Sequence, residues 1–238
     1  MHIYLDSADA NSWALPPGCP PVAGVTTNPS LIHQAGLPVS LATYERLLQA
    51  AGDHGLAELM LQLPSRDPAL ARQWLVRLQY SATRARVRLT IKLPCHPDWL
   101  PCILAVQNMG QAILLTALSN PVQLLWAKSL KVAYVAPYVG RLAADGRDVW
   151  AFMQACVAVQ NDQGDKGDKG DKGDKEGRGP ALLAASIKSP EVLSKLVALG
   201  AAAVTLPPAS LITWSGDALT QTAIEQFDRD SAASLVGH

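Results

Sequence analysis

The run Leu89-Thr90-Ile91-Lys92-Leu93-Pro94 reads as a buried strand with a lysine set inside it. An ammonium in apolar surroundings loses the hydration that favours its charged form, so its pKa falls and it becomes a candidate free-amine nucleophile for a carbonyl. A lysine at a strand end whose ammonium reaches water is the competing reading of these six residues. Working outward, seven further short apolar runs recur along the chain: 3–5, 22–25, 58–63, 112–115, 132–135, 181–185 and 202–206. Stretches of helical period or composition lie between them, at 41–51, 68–81, 99–109, 121–129, 148–160 and 191–199.

Strands that alternate with crossover helices imply a parallel sheet covered on its outer face, and eight repeats close naturally into a barrel. The expected fold is therefore α/β, a single (β/α)₈ TIM barrel over residues 1–238. The first crossover is the weak one, because Pro16, Pro17, Pro20 and Pro21 leave room only for a helical turn near Ala8 to Leu15. An open doubly wound sheet is the alternative. It would carry a glycine-rich nucleotide loop after its first strand, and Asp6-Ser7-Ala8-Asp9 is not one. Asn28-Pro29, Asn120-Pro121 and Ser189-Pro190-Glu191 each supply a capping side chain followed by proline, and each falls just after an expected strand. Such caps aim backbone N–H groups into the space above the strand ends.

The chain has 238 residues, with 20 Lys and Arg against 20 Asp and Glu, so no basic excess recommends nucleic acid as a partner. Met1 runs directly into His2-Ile3-Tyr4-Leu5-Asp6 without a signal-peptide pattern, and no apolar stretch approaches membrane-spanning length. A soluble, cytoplasmic protein with no membrane partner is expected. Cys19, Cys95, Cys102 and Cys156 lack both zinc-site spacing and the density of a disulfide scaffold, and the five histidines are scattered. No metal and no cofactor are expected. Gly164-Asp165-Lys166 repeats through Gly173-Asp174-Lys175; without imino acids it is no collagen, and a disordered low-complexity insertion at 161–180 is expected on the rim opposite the strands' C-terminal ends. The tail from Asp217 to Leu235 reads as a packing helix with Ala223, Ile224, Phe227 and Leu235 as its apolar residues.

The ends of the expected strands share a habit. They carry Asp6, then Thr26 with Thr27 and Asn28, then Gln62, Lys92, Thr116, Tyr138, and Ser186 with Lys188. Each alone is explained as a cap, a β-former or a polar terminus, but in a barrel they converge on the mouth that houses the chemistry.

These residues carry a resemblance. Tyr4-Leu5-Asp6, Gly24-Val25-Thr26-Thr27-Asn28-Pro29-Ser30, Ile91-Lys92-Leu93-Pro94, Tyr134 to Arg141 and Ala184 to Pro190 resemble the motifs of the transaldolases, particularly the small fructose-6-phosphate aldolase subgroup. The resemblance implies a metal-free class I aldolase in which Lys92 forms a Schiff base with a ketose phosphate and splits it through an enamine. It implies Asp6 as the group that handles the proton of the cleaving hydroxyl, and Thr26 and Asn28, within the motif that ends at Ser30, as holders of the dihydroxyacetone portion. Gln62, Thr116 and Tyr138 would hold the water that shuttles protons. Transaldolases proper carry glutamate and phenylalanine where this chain has Gln62 and Tyr138, so the aldolase reading leads. Transfer of dihydroxyacetone between sugar phosphates is the runner-up, and a non-catalytic sugar-phosphate-binding barrel the third reading.

Arg141, Ser186 and Lys188 are candidates for the substrate phosphate: two cations and a hydroxyl near the helix start at Ser189-Pro190. Partners are thus small ketose and aldose phosphates. The resemblance also implies a homo-oligomer, pentamer or decamer. Cys95-His96 after Pro94, Gly140 beside Arg141, and Ser119-Asn120-Pro121 depart from the family's usual residues near the mouth.

Overall fold

The computed structural model describes residues 1–162 and 179–234. Eight parallel strands, β1 (His2–Asp6), β2 (Gly24–Thr26), β3 (Glu58–Gln62), β4 (Arg88–Pro94), β5 (Ile113–Thr116), β6 (Tyr134–Ala136), β7 (Ala181–Ala184) and β8 (Ala203–Leu206), pair in chain order, and β8 returns to β1 to close a barrel. Helices α1 (Pro29–Gln34), α2 (Leu41–Asp53), α3 (Pro68–Ala85), α4 (Leu100–Gln107), α5 (Pro121–Ser129), α6 (Val139–Ala144), α7 (Val149–Asn161), α8 (Pro190–Leu199), α9 (Pro208–Ser215) and α10 (Ala218–Ser234) follow in sequence.

The expected eight-strand order holds, with shifted edges: the runs expected at 22–25 and 132–135 pair instead over Gly24–Thr26 and Tyr134–Ala136. Closure decides those edges, because only residues opposite a neighbour enter the ladder. The first crossover is a 3₁₀ turn at Ala10–Trp13, as four nearby prolines require. The expected caps also form: Asn28, Asn120 and Ser189 accept hydrogen bonds from the backbone N–H of Leu31, Gln123 and Val192.

Strand alternation sorts the side chains into two cores. Leu5, Val25, Leu59, Leu61, Ile91, Leu93, Leu115 and Val135 face the helices and are fully buried there. Each such side chain contributes about 1.5–3 kcal/mol. The barrel interior is filled by a separate apolar cluster that includes Tyr4, Met60, Leu114 and Leu183, one from each odd-numbered strand. At the N-terminal end the interior is closed by Glu58, whose buried carboxylate accepts hydrogen bonds from Tyr4 Oη at 2.7 Å and Thr90 Oγ1 at 2.6 Å and pairs with Arg88. Three donors meet the need of a buried charge for partners. Burial and this carboxylate push the Tyr4 phenol pKa far up, so Tyr4 stays a donor. Gly24 must remain bare, since a Cβ there would lie 2.1 Å from the Glu58 carbonyl oxygen.

Helix α10 forms within the expected tail, but along its length Leu219, Ile224 and Phe227 are exposed, so it is not covered by its own barrel. Leu235 and the Gly-Asp-Lys repeats lie outside the described residues. The described elements on either side in sequence are α7 and β7, and β7 begins on the rim away from the Lys92 end of β4. Among the described residues no helix is long and apolar enough to cross a membrane, and no three His, Cys, Asp or Glu side chains group in a way that could hold a metal.

Candidate active site

At the C-terminal mouth a cavity of about 480 Å³ opens over the interior layer, with Leu114, Ala136 and Leu183 at its floor. Lys92 rises into it from β4, in register with Gln62 on β3 and Leu114 on β5. Its residue is only 5% exposed, and no hydrogen bond or ion pair to a described residue occupies its amine. Burial lowers its pKa from 10.5 to about 8, against the smaller opposing pull of Asp6. About a quarter of such amines are neutral at pH 7.5, against about 0.1% of ordinary lysines. A group so placed is able to attack a carbonyl at neutral pH.

The remaining side chains enter from strand ends and the turns above them. Asp6 ends β1 and lines the cavity, with its Oδ1 accepting a 2.9 Å hydrogen bond from Thr26. Across the mouth, Thr116 Oγ1 and Tyr138 Oη lie 2.6 Å apart, both on the cavity wall. Gln62 lines the same wall. Asn28 and Ser30 face the cavity from the β2–α1 junction, the Asn28 carbonyl oxygen being taken by the cap to Leu31.

Arg141, Ser186 and Lys188 gather on the far side. The Arg141 guanidinium stacks over the Tyr138 ring at 4.5 Å, a cation–π contact that fixes both. Ser186 takes a left-handed backbone, φ 60°, and its carbonyl accepts the Gly140 N–H at 3.1 Å. A Cβ on residue 140 would come within 2.8 Å of both that carbonyl oxygen and the Ser186 hydroxyl, which is why glycine stands there. Lys188 is exposed at the rim, one residue before the cap of α8.

Ten of the eleven anticipated residues thus line one cavity. Thr26 is the exception: it is 0% exposed and not part of the cavity wall, its hydroxyl engaged with Asp6. Its hydroxyl reaches Asp6 because in the parallel ladder it lies directly beside Asp6. Thr27 faces the helices, with its buried hydroxyl unpaired among the described residues. Thr205 on β8 and Gln34 on α1 line the cavity without having been anticipated. For Thr205 the available signal was parity: it stands two residues after Ala203, which faces the interior.

Near the mouth, Cys95 is buried beside α5, where burial raises its thiol to about 12, so it is no thiolate nucleophile. Gln123 ties its neighbourhood together, donating to the Cys95 carbonyl at 2.8 Å and accepting from the Ser119 N–H at 2.8 Å.

Residues 73–236 match the family model described as transaldolase/fructose-6-phosphate aldolase. A curated relative from Caulobacter sp. (strain K31), named "Probable transaldolase", is 26% identical over 234 residues, covering 98% of each chain. Among solved structures, 3-hexulose-6-phosphate synthase from Salmonella typhimurium aligns with a TM-score of 0.56 at 11% identity, over 90% of this chain and 98% of that one. The flavin-binding domain of baker's yeast flavocytochrome b2 aligns with a TM-score of 0.53 at 11% identity, over 90% and 58%. Both share the fold.

Proposed function

The chain belongs to the transaldolase/fructose-6-phosphate aldolase family and is an enzyme of aldolase or transaldolase type, and from that premise we propose that it is a class I aldolase acting through Lys92 on a ketose phosphate of the fructose 6-phosphate kind. The observation that carries this reading is the buried Lys92 amine, held near a pKa of 8 at the floor of a polar-walled cavity with Asp6 close enough to act on its charge.

The neutral amine adds to the ketone carbon, and loss of water leaves an iminium. Asp6 takes the proton from the hydroxyl two carbons away, the carbon–carbon bond between them breaks, and an aldehyde departs. The electron pair of that bond remains as an enamine on Lys92. Protonation of the enamine and addition of water then release dihydroxyacetone and return the amine. Tyr138 and Thr116, 2.6 Å apart beside Gln62, are suited to hold the water and pass these protons. Arg141, Lys188 and Ser186 offer two cations and a hydroxyl to the phosphate at the far side. Asn28 keeps its amide N–H groups for a substrate hydroxyl, since only its carbonyl is spent on the cap.

A second reading is favoured by the name of the Caulobacter relative: capture of the enamine by a second aldehyde, which is transaldolase chemistry. Incubation with dihydroxyacetone and cyanoborohydride, followed by peptide mass mapping, tests the Schiff base; absence of an adduct on Lys92 sinks both readings. Product analysis with and without an acceptor aldehyde separates them, because strict dependence on the acceptor overturns the aldolase assignment. The uncovered apolar residues of α10 support self-association, for which sizing of the chain truncated before Asp217 is the check.

A further inference from the structure

The eighth strand supplied no residue to the chemistry above, yet one of its side chains reaches the core of the site. Thr205 Oγ1 lies 2.7 Å from Thr26 Oγ1. Thr205 pairs through its backbone with Tyr4, while Thr26 pairs with Asp6. The two neighbours of β1 therefore meet inside the barrel, next to the Asp6 carboxylate.

Proton counting fixes the direction of this chain. A hydroxyl has one proton to give, and an ionised carboxylate only accepts. The Thr26 proton goes to Asp6 Oδ1. The proton between the two threonines must then come from Thr205. We propose that Thr205 is a positioning residue for the reaction, donating to Thr26 so that Thr26 is held as a donor to Asp6, and thereby fixing the place of the carboxylate. The proposal rests on the reading of Asp6 as the group that takes the substrate proton.

Burial gives the chain its weight. Thr26 is 0% exposed and Thr205 3%, so the bond between their hydroxyls is shielded from bulk water. Successive donors also polarise one another, so a donor at the far end strengthens the bond that Asp6 receives. The titratable groups sharing the cavity with Asp6 are Lys92 on β4, Tyr138 and Arg141 at the start of α6, and Lys188 after β7. With saturating ketose Lys92 is bound up as the imine, so kcat reads Asp6 without the titration of the free amine.

The test compares Thr205→Val, which keeps the shape and removes the hydroxyl, with Thr205→Ser, which keeps the hydroxyl, and runs Asp6→Asn in parallel. Expected for Thr205→Val is a fall in kcat of about tenfold, the upper range for one lost neutral hydrogen bond, with KM unchanged. The acid limb of the kcat–pH profile should change, and the carbon NMR signal of the Asp6 carboxyl should move with it. Thr205→Ser should restore all three. A raised KM with an unmoved acid limb would mean that Thr205 meets the substrate directly, and would overturn the proposal, as would a valine variant with parental kcat and carboxyl titration. Should valine prevent folding, Thr205→Ala is read in the same way. Full turnover in Asp6→Asn refutes the role of Asp6 itself, while the NMR titration still reports whether the hydroxyl chain exists.

Discussion

Replacing Lys92 by methionine should destroy activity and at the same time make the protein more stable. Burial holds the Lys92 ammonium at about 8 against an ordinary 10.5. At 1.36 kcal/mol for each tenfold in proton affinity, keeping this group charged inside the folded chain at pH 7 costs about 3 kcal/mol. Below pH 8 both folded and unfolded chains hold the proton, and the full penalty applies. Between 8 and 10.5 the folded chain has released it while the unfolded chain retains it, so the unfolded state binds more protons and stability rises with pH. Above 10.5 both are neutral and the penalty is gone. Methionine is apolar, flexible and of similar length, so it fills the space over Leu114 without the charge. Urea unfolding followed by circular dichroism should find Lys92→Met more stable by about 3 kcal/mol at pH 7 and by about 1 kcal/mol at pH 9.5. A variant that is less stable, or an advantage that does not shrink with pH, would refute the view that Lys92 is a desolvated amine.

Asp6 raises the pKa of Lys92, so Asp6→Asn should move the midpoint of pH-dependent reductive trapping on Lys92 below 8 while turnover falls about a hundredfold; an upward move is the contrary result. Tyr138→Phe removes the 2.6 Å hydrogen bond to Thr116 and should raise the share of enamine captured by an added acceptor aldehyde over the share released as ketone, measured as a product ratio. Arg141→Gln should raise KM for a phosphorylated ketose about tenfold or more and leave trapping of unphosphorylated dihydroxyacetone nearly unaffected; equal losses for both would place the phosphate elsewhere. Deleting residues 164–175 should leave kcat within about twofold, because the described elements on either side, α7 and β7, adjoin at the end of β7 away from Lys92.

Much of the barrel was readable because its determinants are local. The caps at Asn28, Asn120 and Ser189 and the prolines behind them act within one helical turn, and all three helices begin where those residues stand. The short helix α6, between β6 and β7, carries no comparable punctuation, having no side-chain cap, while α9, after β8, has Pro208 at its start but no capping side chain. Ten site residues could be anticipated because polar side chains at strand ends have one place to converge. Thr26 and Thr205 could not be sorted that way. Threonine is an ordinary strand former, and which hydroxyl lines the cavity and which meets a carboxylate depends on a contact between residues 179 positions apart.

The sequence by itself determined that eight strands alternate with helices and that Lys92 sits in an apolar run beside strand-end polar groups, since periodicity and capping are properties of neighbouring residues. The tertiary structure alone decided that Lys92 is desolvated enough to titrate near 8, because the apolar layer beneath it comes from Met60, Leu114 and Leu183 on three other strands. It decided equally that the Thr26 hydroxyl lies within hydrogen-bond reach of both Asp6 and Thr205, because a hydroxyl's partners are whichever groups the closed barrel brings near it.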